Sequence, residues 1–265
     1  MKRQEEIELL NKYYNSHDED GRLAPRANSV EFITTMKYIN KYLEKGMKIL
    51  EIGAGTGRYS LALADEGYSV DAVELIPHNI DVFKSKMMPE QRVTVVQGDA
   101  CDLSFIEDNQ YDITLLLGPM YHLFKEGDRK SAIAEAIRVT KTGGVLFCAY
   151  VGVDILIYQN YITGTVNELR EKGLIDGDFN AMPVPEGLFF PQRKEDIDKL
   201  MSNFHVTRLH YVGTDILHRY MMDAINAMDD ETFADYMEFH YKTCERADCV
   251  GLSNHMLDIF RKEGF

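Results

Sequence analysis

Three glycines alternate with small residues in the stretch "ILEIGAGTGRYS", at Gly53, Gly55 and Gly57, and a carboxylate, Glu51, stands just ahead of them. Glycine takes backbone angles closed to other residues and lets a main chain lie close against another body. A run of it after an apolar segment, and before a helix-like one, argues for a ligand seated on bare backbone at a helix N-terminus. Two further acids can join that ligand. Glu74 ends the run "SVDAVE", and 74 − 53 = 21 residues separate it from the first glycine. At that spacing a carboxylate takes both hydroxyls of a ribose. Asp99, in "QGDACDL", can accept from an adenine amino group, while the Ala100 amide can reach a ring nitrogen.

The tail of this ligand is not a pyrophosphate. Dinucleotide sites use G-x-G-x-x-G, whereas here the third glycine comes one residue early, in Gly53-Ala54-Gly55-Thr56-Gly57. Glu51 is poorly placed beside phosphates and well placed beside an ammonium and a sulfonium, directly or through water. The loops together describe an adenosine with a zwitterionic tail and no phosphates. Arg58 and Tyr59 at the following helix start, Leu75 beside Glu74, and Leu117 at the end of "YDITLLL" are further candidate contacts, although Arg58 and Tyr59 equally suit a plain helix opening. In the "GPMYH" stretch, Tyr121 and His122 are the candidate catalytic residues: His122 as a base near neutral pH and Tyr121 as a wall of the site. The plainer alternative has His122 capping the next helix or packing under a cover.

Such loops need strands beneath them. Short apolar runs alternate with amphipathic stretches from about residue 48, the pattern of a parallel sheet wrapped by helices. The strands read as "KILEIG", "SVDAVE", "RVTVVQ", "YDITLLL" and "GVLFCAYV", the last from Gly144. Helices are expected from near Gly57 to Gly67, from Pro77 to Met88, and from Lys125 to the "KTGG" turn. Gly46, Gly67 and Gly143 fall where helix C-caps are expected. Before the first strand, Phe32, Met36, Ile39 and Leu43 have helical spacing behind an Asn28 or Ser29 cap. The preceding "YYNSHDEDGRLAPRAN" reads as a flap whose Tyr13 and Tyr14 cover the cofactor, with His17, Glu19 and Asp20 in it. Past residue 151 the sequence predicts helices at Asn160–Gly173 and Arg193–Phe204, a strand "HVTRLHYVG", two more helices and a last strand "HMLDIFRK". Phe189, Phe190, Tyr220, Met221, Met222 and Phe239 supply apolar mass for an acceptor pocket or for plain core. The organisation is one domain over 1–265: an N-terminal helical lid at 1–46, a cofactor-binding core at 47–151 and an elaborated half at 152–265.

A chain of 265 residues with 45% hydrophobic and 27% charged residues is an ordinary folded globular protein. Its net charge of −14 and lack of any basic run make nucleic acid an unexpected partner. The four cysteines, Cys101, Cys148, Cys244 and Cys249, lack paired zinc-ligand spacing and any disulfide framework, so no metal site and a reducing compartment are expected. The remaining histidines are scattered without ligand spacing. "MKRQEEIELL" has no apolar core of a signal peptide, and the most membrane-like window, "GGVLFCAYVGVDILIYQNYI", carries Asp154 and reads as a buried strand leading into a connection. The expectation is a cytoplasmic protein. Subunit number is not encoded in these signals.

The motifs "ILEIGAGTGRYSLALA", "VDAVEL", "VVQGDACDL" and "YDITLLLGPMYHL" resemble those of the class I S-adenosylmethionine-dependent methyltransferases, and most of all the bacterial branch acting on small molecules. The resemblance covers residues 48–150 well and the rest by layout. It implies a doubly wound, mostly parallel seven-stranded sheet of Rossmann-like type with an antiparallel last strand. It also implies S-adenosyl-L-methionine as cofactor and a small-molecule methyl acceptor. Gly118 departs from the branch that methylates planar nitrogens, which places an Asn or Asp there to accept from the amine. Other readings stay open: a methyltransferase for tRNA or protein, a non-catalytic cofactor-binding module, and, against the position of Gly57, an NAD-dependent dehydrogenase.

Overall fold

The central strands of the sheet are apolar on both faces, so they are stable only when helices cover them from both sides. A computed structural model describes residues 3–16, 21 and 25–264. In it the chain runs α1 (Arg3–Tyr14), α2 (Arg26–Asn40), β1 (Lys48–Ile52), α3 (Arg58–Asp65), β2 (Ser69–Glu74), α4 (Pro77–Lys86), β3 (Val93–Gln97), β4 (Tyr111–Leu116), α5 (Glu126–Val139) and β5 (Thr140–Val151). It continues with α6 (Val153–Thr163), α7 (Val166–Glu171), α8 (Lys194–Met201), β6 (Val206–Gly213), α9 (His218–Asn226), α10 (Asp230–Thr243) and β7 (His255–Lys262). The strands form one sheet in the order β3-β2-β1-β4-β5-β7-β6. β1 to β5 pair in parallel, and β7 runs antiparallel to both β5 and β6. This is the expected seven-stranded, Rossmann-like methyltransferase sheet with its reversed last strand.

The core lies on both faces. On one, α2 and α3 set Ile39, Leu63 and Tyr59 against Ile49, Ile113, Phe147 and Ile259. On the other, α5 sets Ala132, Ile133 and Ala136 against Leu50, Leu116, Leu146 and Phe260. Ile113 is wholly buried in the central β4, so its truncation to Ala costs about 2–5 kcal/mol. A smaller cluster, Val153, Ile157, Val166, Leu169 and Ile175, holds α6 and α7 together.

Several expected boundaries shift for local reasons. α2 begins at Arg26 behind Pro25, not at Asn28 or Ser29, because proline presets the entry; the Ser29 hydroxyl donates back to Arg26 O. Gly67 closes α3 as expected: the Tyr68 amide reaches Leu63 O and the Gly67 amide reaches Ala64 O. Gly46 and Gly143 are not helix caps. Gly46 lies in the loop before β1, and Gly143 lies within β5, which starts at Thr140 directly after α5. The "KTGG" segment is a bulge there, since pairing jumps from Tyr111↔Thr140 to Ile113↔Val145. The predicted helix at Asn160–Gly173 is broken by Gly164 in the left-handed region. Of the flap, His17, Glu19 and Asp20 lie outside the described residues. Among the described residues no helix is long and apolar enough to cross a membrane.

Candidate active site

The ends of β1, β2 and β4 and the loop after β3 open on one cleft, which α1 and α2 roof. Its lining includes Glu51, Gly53, Gly55, Arg58, Tyr59, Glu74, Leu75, Asp99, Ala100, Leu117, Tyr121 and His122. All the sequence-predicted site residues meet there except Gly57.

The three glycines divide their work. At Gly53, φ is +75° and an added Cβ lies 2.5 Å from the Pro119 ring, so this glycine lets the β1 and β4 loops touch. Gly57 has φ +86° and a Cβ there meets the Phe83 ring at 2.5 Å. It lies outside the cleft's lining and lets α3 pack closely on α4. Gly55, with φ +54°, faces open space in the cleft. Gly118 is also steric: a Cβ on it meets Gly53 O at 3.2 Å.

The carboxylates are held by backbone. Glu74 is buried; its Oε2 accepts from the Gly55 amide at 2.8 Å, and its Oε1 from the Ile76 amide at 2.9 Å and Asn79 Nδ2 at 3.3 Å. Burial outweighs these bonds and raises its pKa. Glu51 accepts from the Ser60 amide at 2.9 Å and from the Ser60 hydroxyl. It thus satisfies an orphan amide of the first turn of α3. Its burial, helped by the nearby Glu74 charge, pushes its pKa up to about 8.

Asp99 is already engaged. Its two oxygens take Arg3 Nη2 and Nε of α1, each at 3.0 Å, and Oδ1 also takes the Cys101 amide. The Arg3 guanidinium and these hydrogen bonds hold Asp99 below the usual carboxylate range despite its burial. Lys125 Nζ grips buried Glu6 of the same helix at 3.1 Å. Arg3, to which the sequence assigned no role, therefore lines the same cleft.

The other end of α1 reaches the catalytic candidates. Tyr14 Oη lies 2.8 Å from His122 Nε2, and His122 Nδ1 lies 2.8 Å from Leu188 O. A carbonyl only accepts, so Nδ1 carries the proton and Nε2 presents its lone pair to the Tyr14 hydroxyl, which donates. Burial lowers the His122 pKa to about 4, leaving a neutral imidazole. Leu188 holds that carbonyl with φ +64°, a left-handed angle uncommon for leucine. The adjoining Phe190 amide donates to Tyr121 O at 2.7 Å, and Phe189 packs 5.0 Å from the His122 ring. So the 185–190 loop seats the "GPMYH" turn, and His122 is not a cap of α5 but packs, buried, beneath Tyr14 of α1. Tyr121 donates to Leu117 O. Phe189 packs on the Tyr121 and His122 rings, whereas Phe239 is exposed.

The donor set suits an adenosine joined to an amino acid. Beside Glu74, the buried Asn79 Oδ1 has no partner among the described residues, an acceptor ready for a ribose hydroxyl. Arg58, stacked 4.6 Å from the Phe32 ring, lines the cleft and has an Nε with no partner among the described residues, a donor that suits a carboxylate. Sequence comparison then decides the family. Residues 49–144 match the family model described as a methyltransferase domain. The chain is 30% identical over 207 residues to a glycine/sarcosine N-methyltransferase of Parasynechococcus marenigrum (strain WH8102), covering 75% of this chain and 70% of the relative. The chain belongs to the S-adenosylmethionine-dependent methyltransferases. A second relative, the cypemycin N-terminal methyltransferase of a Streptomyces species, is 31% identical over 126 residues, 47% of this chain; the match spans about half, 48%, of its length. A SAM-dependent methyltransferase of Thermotoga maritima shares the fold with a TM-score of 0.59 at 16% identity, over 97% of this chain and all of the other.

In this methyltransferase, sequence reasoning missed Arg3, Glu31 and Asn79. Asn79 had a readable signal, a polar residue in the first turn of the helix after the ribose acid; Arg3 and Glu31 had none. The scattered histidines also converge in space. His255 Nδ1 lies 2.7 Å from Asp215 Oδ2 and 3.3 Å from Glu31 Oε2, and His218 Nδ1 lies 3.1 Å from Asp215.

Proposed function

We propose that this enzyme moves the methyl group of S-adenosylmethionine to a small molecule by in-line displacement at the Tyr14–His122 end of the cleft. The bound donor supplies an electrophilic methyl on a charged sulfur, so the protein has chiefly to align the acceptor and exclude water. Glu74 and Asn79 suit the ribose hydroxyls, Arg58 the carboxylate, and buried Glu51 the positive charge of the tail. Leu75 and Ala100 line the nucleoside end, and Leu117 and Tyr121 the way toward the acceptor. Tyr14 donates to the lone pair of neutral His122, so its oxygen is polarised to accept a proton from the acceptor while passing its own to Nε2. The observation that carries this reading is the single cleft with ribose acid, open glycine and Tyr14–His122 pair along its wall.

The test is titration calorimetry with S-adenosylhomocysteine, followed by incubation of the protein with donor carrying a ¹³C-methyl group and a fractionated metabolite extract. Micromolar binding and a labelled small product are expected. Binding without any labelled product across all fractions would favour a cofactor-sensing module, and absence of binding would end the assignment.

A further inference from the structure

Arg129 is a buried cation that pairs with no carboxylate among the described residues. It lies in the first turn of α5, where the helix dipole disfavours positive charge as well. Its Nη1 donates to Leu123 O at 2.6 Å and to Phe124 O at 2.9 Å, while its Nε has no partner among the described residues. Glu126, Asp128 and Asp196 reach it through their fields, without a hydrogen bond. The guanidinium lies 4.6 Å from the centre of the Phe190 ring. Burying a charge in this way is costly, and a side chain needed only to fill the space would be better apolar.

Both of its attachments lead to His122. Leu123 and Phe124 follow that histidine directly and are themselves buried. The His122 amide donates to Pro119 O at 2.9 Å, so residues 119–124 form one turn after β4. The ring against Arg129 belongs to the loop that presents Leu188 O to His122 Nδ1, two residues before Phe190. The Phe190 amide bonds Tyr121 O at 2.7 Å. Turn and loop are 66 residues apart in the chain at the His122–Leu188 contact, and Arg129 touches both. While Leu188 O faces Nδ1, that nitrogen keeps the proton and Nε2 keeps its lone pair. Were the loop to draw back, the two neutral forms of the ring would interchange. Arginine suits this task, because one flat group donates and stacks at once.

We propose that Arg129 is a positioning residue for His122. By holding the carbonyls of Leu123 and Phe124 while stacking on Phe190, it locks the turn after β4 to the 185–190 loop and fixes His122 with its proton on Nδ1. This rests on the methyltransferase reading above, in which His122 Nε2 receives the acceptor's proton through Tyr14. Arg129 lies outside the cleft's lining and acts through the turn. The same role accounts for the missing carboxylate, which would compete with the two carbonyls for Nη1.

The test reads the His122 ring directly, by NMR of the full chain labelled with ¹⁵N-histidine and saturated with S-adenosylhomocysteine. Near neutral pH the ring is expected to show a protonated Nδ1 and an unprotonated Nε2, assigned by the loss of these signals in His122→Gln. Arg129→Met keeps the length of the side chain but not its donors, and the single form is expected to give way to a mixture. Its S-adenosylhomocysteine affinity is expected to stay within about twofold, while turnover of the acceptor found with labelled donor falls about tenfold at unchanged KM. Arg129→Lys keeps the charge and the donors, and is expected to retain the Nδ1–H form as the major one. Should Arg129→Met fail to fold, Phe190→Leu takes its place by removing the ring, and a mixture is expected there too. An unchanged His122 spectrum in the variant so used would overturn the proposal. So would a lysine variant no better than methionine, or a loss of product affinity as large as the loss of turnover. If the unaltered protein failed to bind S-adenosylhomocysteine, the methyltransferase reading itself would fall, and the same spectra of the unliganded chain would still decide the role of Arg129.

Discussion

The two ends of the cleft are built differently. At the nucleoside end, Glu74 and Glu51 are gripped by amides of Gly55, Ile76 and Ser60, all within twenty residues of each carboxylate. Around the "GPMYH" turn, Tyr14, His122 and the Leu188 carbonyl are brought together from three segments far apart in the chain. Backbone amides leave little freedom to vary the ligand. Side chains on separate inserts can be exchanged one at a time, which suits the end that must recognise a particular acceptor.

The contrast can be broken most sharply at Glu74. Replacing it with Gln removes a charge-assisted acceptor for two hydroxyls, and calorimetry is expected to show S-adenosylhomocysteine affinity falling about a hundredfold. Unchanged affinity would mean that the nucleoside is not held at β2. Next come the glycines, where folding and binding separate. Gly57→Ala drives a methyl group into Phe83 and is expected to cost about 2–3 kcal/mol on chemical denaturation. Gly55→Ala meets no neighbour, so its main loss is expected in product affinity rather than in stability beyond the positive-φ strain of about 1 kcal/mol.

Protons sharpen the comparison further. Glu51 keeps its proton near neutrality in the folded chain, whereas the unfolded chain has lost it by about pH 5. Its contribution to stability therefore falls as pH rises from about 4.5 to about 8. A cationic ligand favours the ionised form, so donor binding at pH 7 is expected to release a proton, read from calorimetry in buffers of different ionisation enthalpy. His122 has the opposite sign. With a folded pKa of about 4 it resists protonation, so stability gained through this group grows as pH rises from about 4 to 6.5. The pH–rate profile should accordingly lack an inflection near 6.5. Tyr14→Phe is the smallest change. It is expected to lower kcat about tenfold with product affinity unmoved, and equal losses in both would place Tyr14 on the donor instead.

The convergence of Glu51, Gly55 and Glu74 on one cleft was legible in the chain because its parts are local: a strand end, a glycine turn and an acid at fixed offsets. Strand identity was legible for the same reason, and "SVDAVE" and "HMLDIFRK" coincide with β2 and β7. What periodicity does not carry is the order of long-range contact. Nothing in "MKRQ" announces that Arg3 will take both oxygens of Asp99, and His255 looked like one more scattered histidine until β6 and β7 brought it to Asp215. The packing of Gly57 against Phe83 was not legible, because positive φ is needed equally for a cradle and for a close helix crossing. "KTGG" misled because a bulge and a helix cap ask for the same residues.

One rigid rod spans the whole cleft. Arg3 and Tyr14 are eleven residues apart on α1, which at helical rise makes about 16 Å, and they fasten respectively to the adenine-side acid and to the imidazole across from it. Lifting that helix would break both contacts at the same moment.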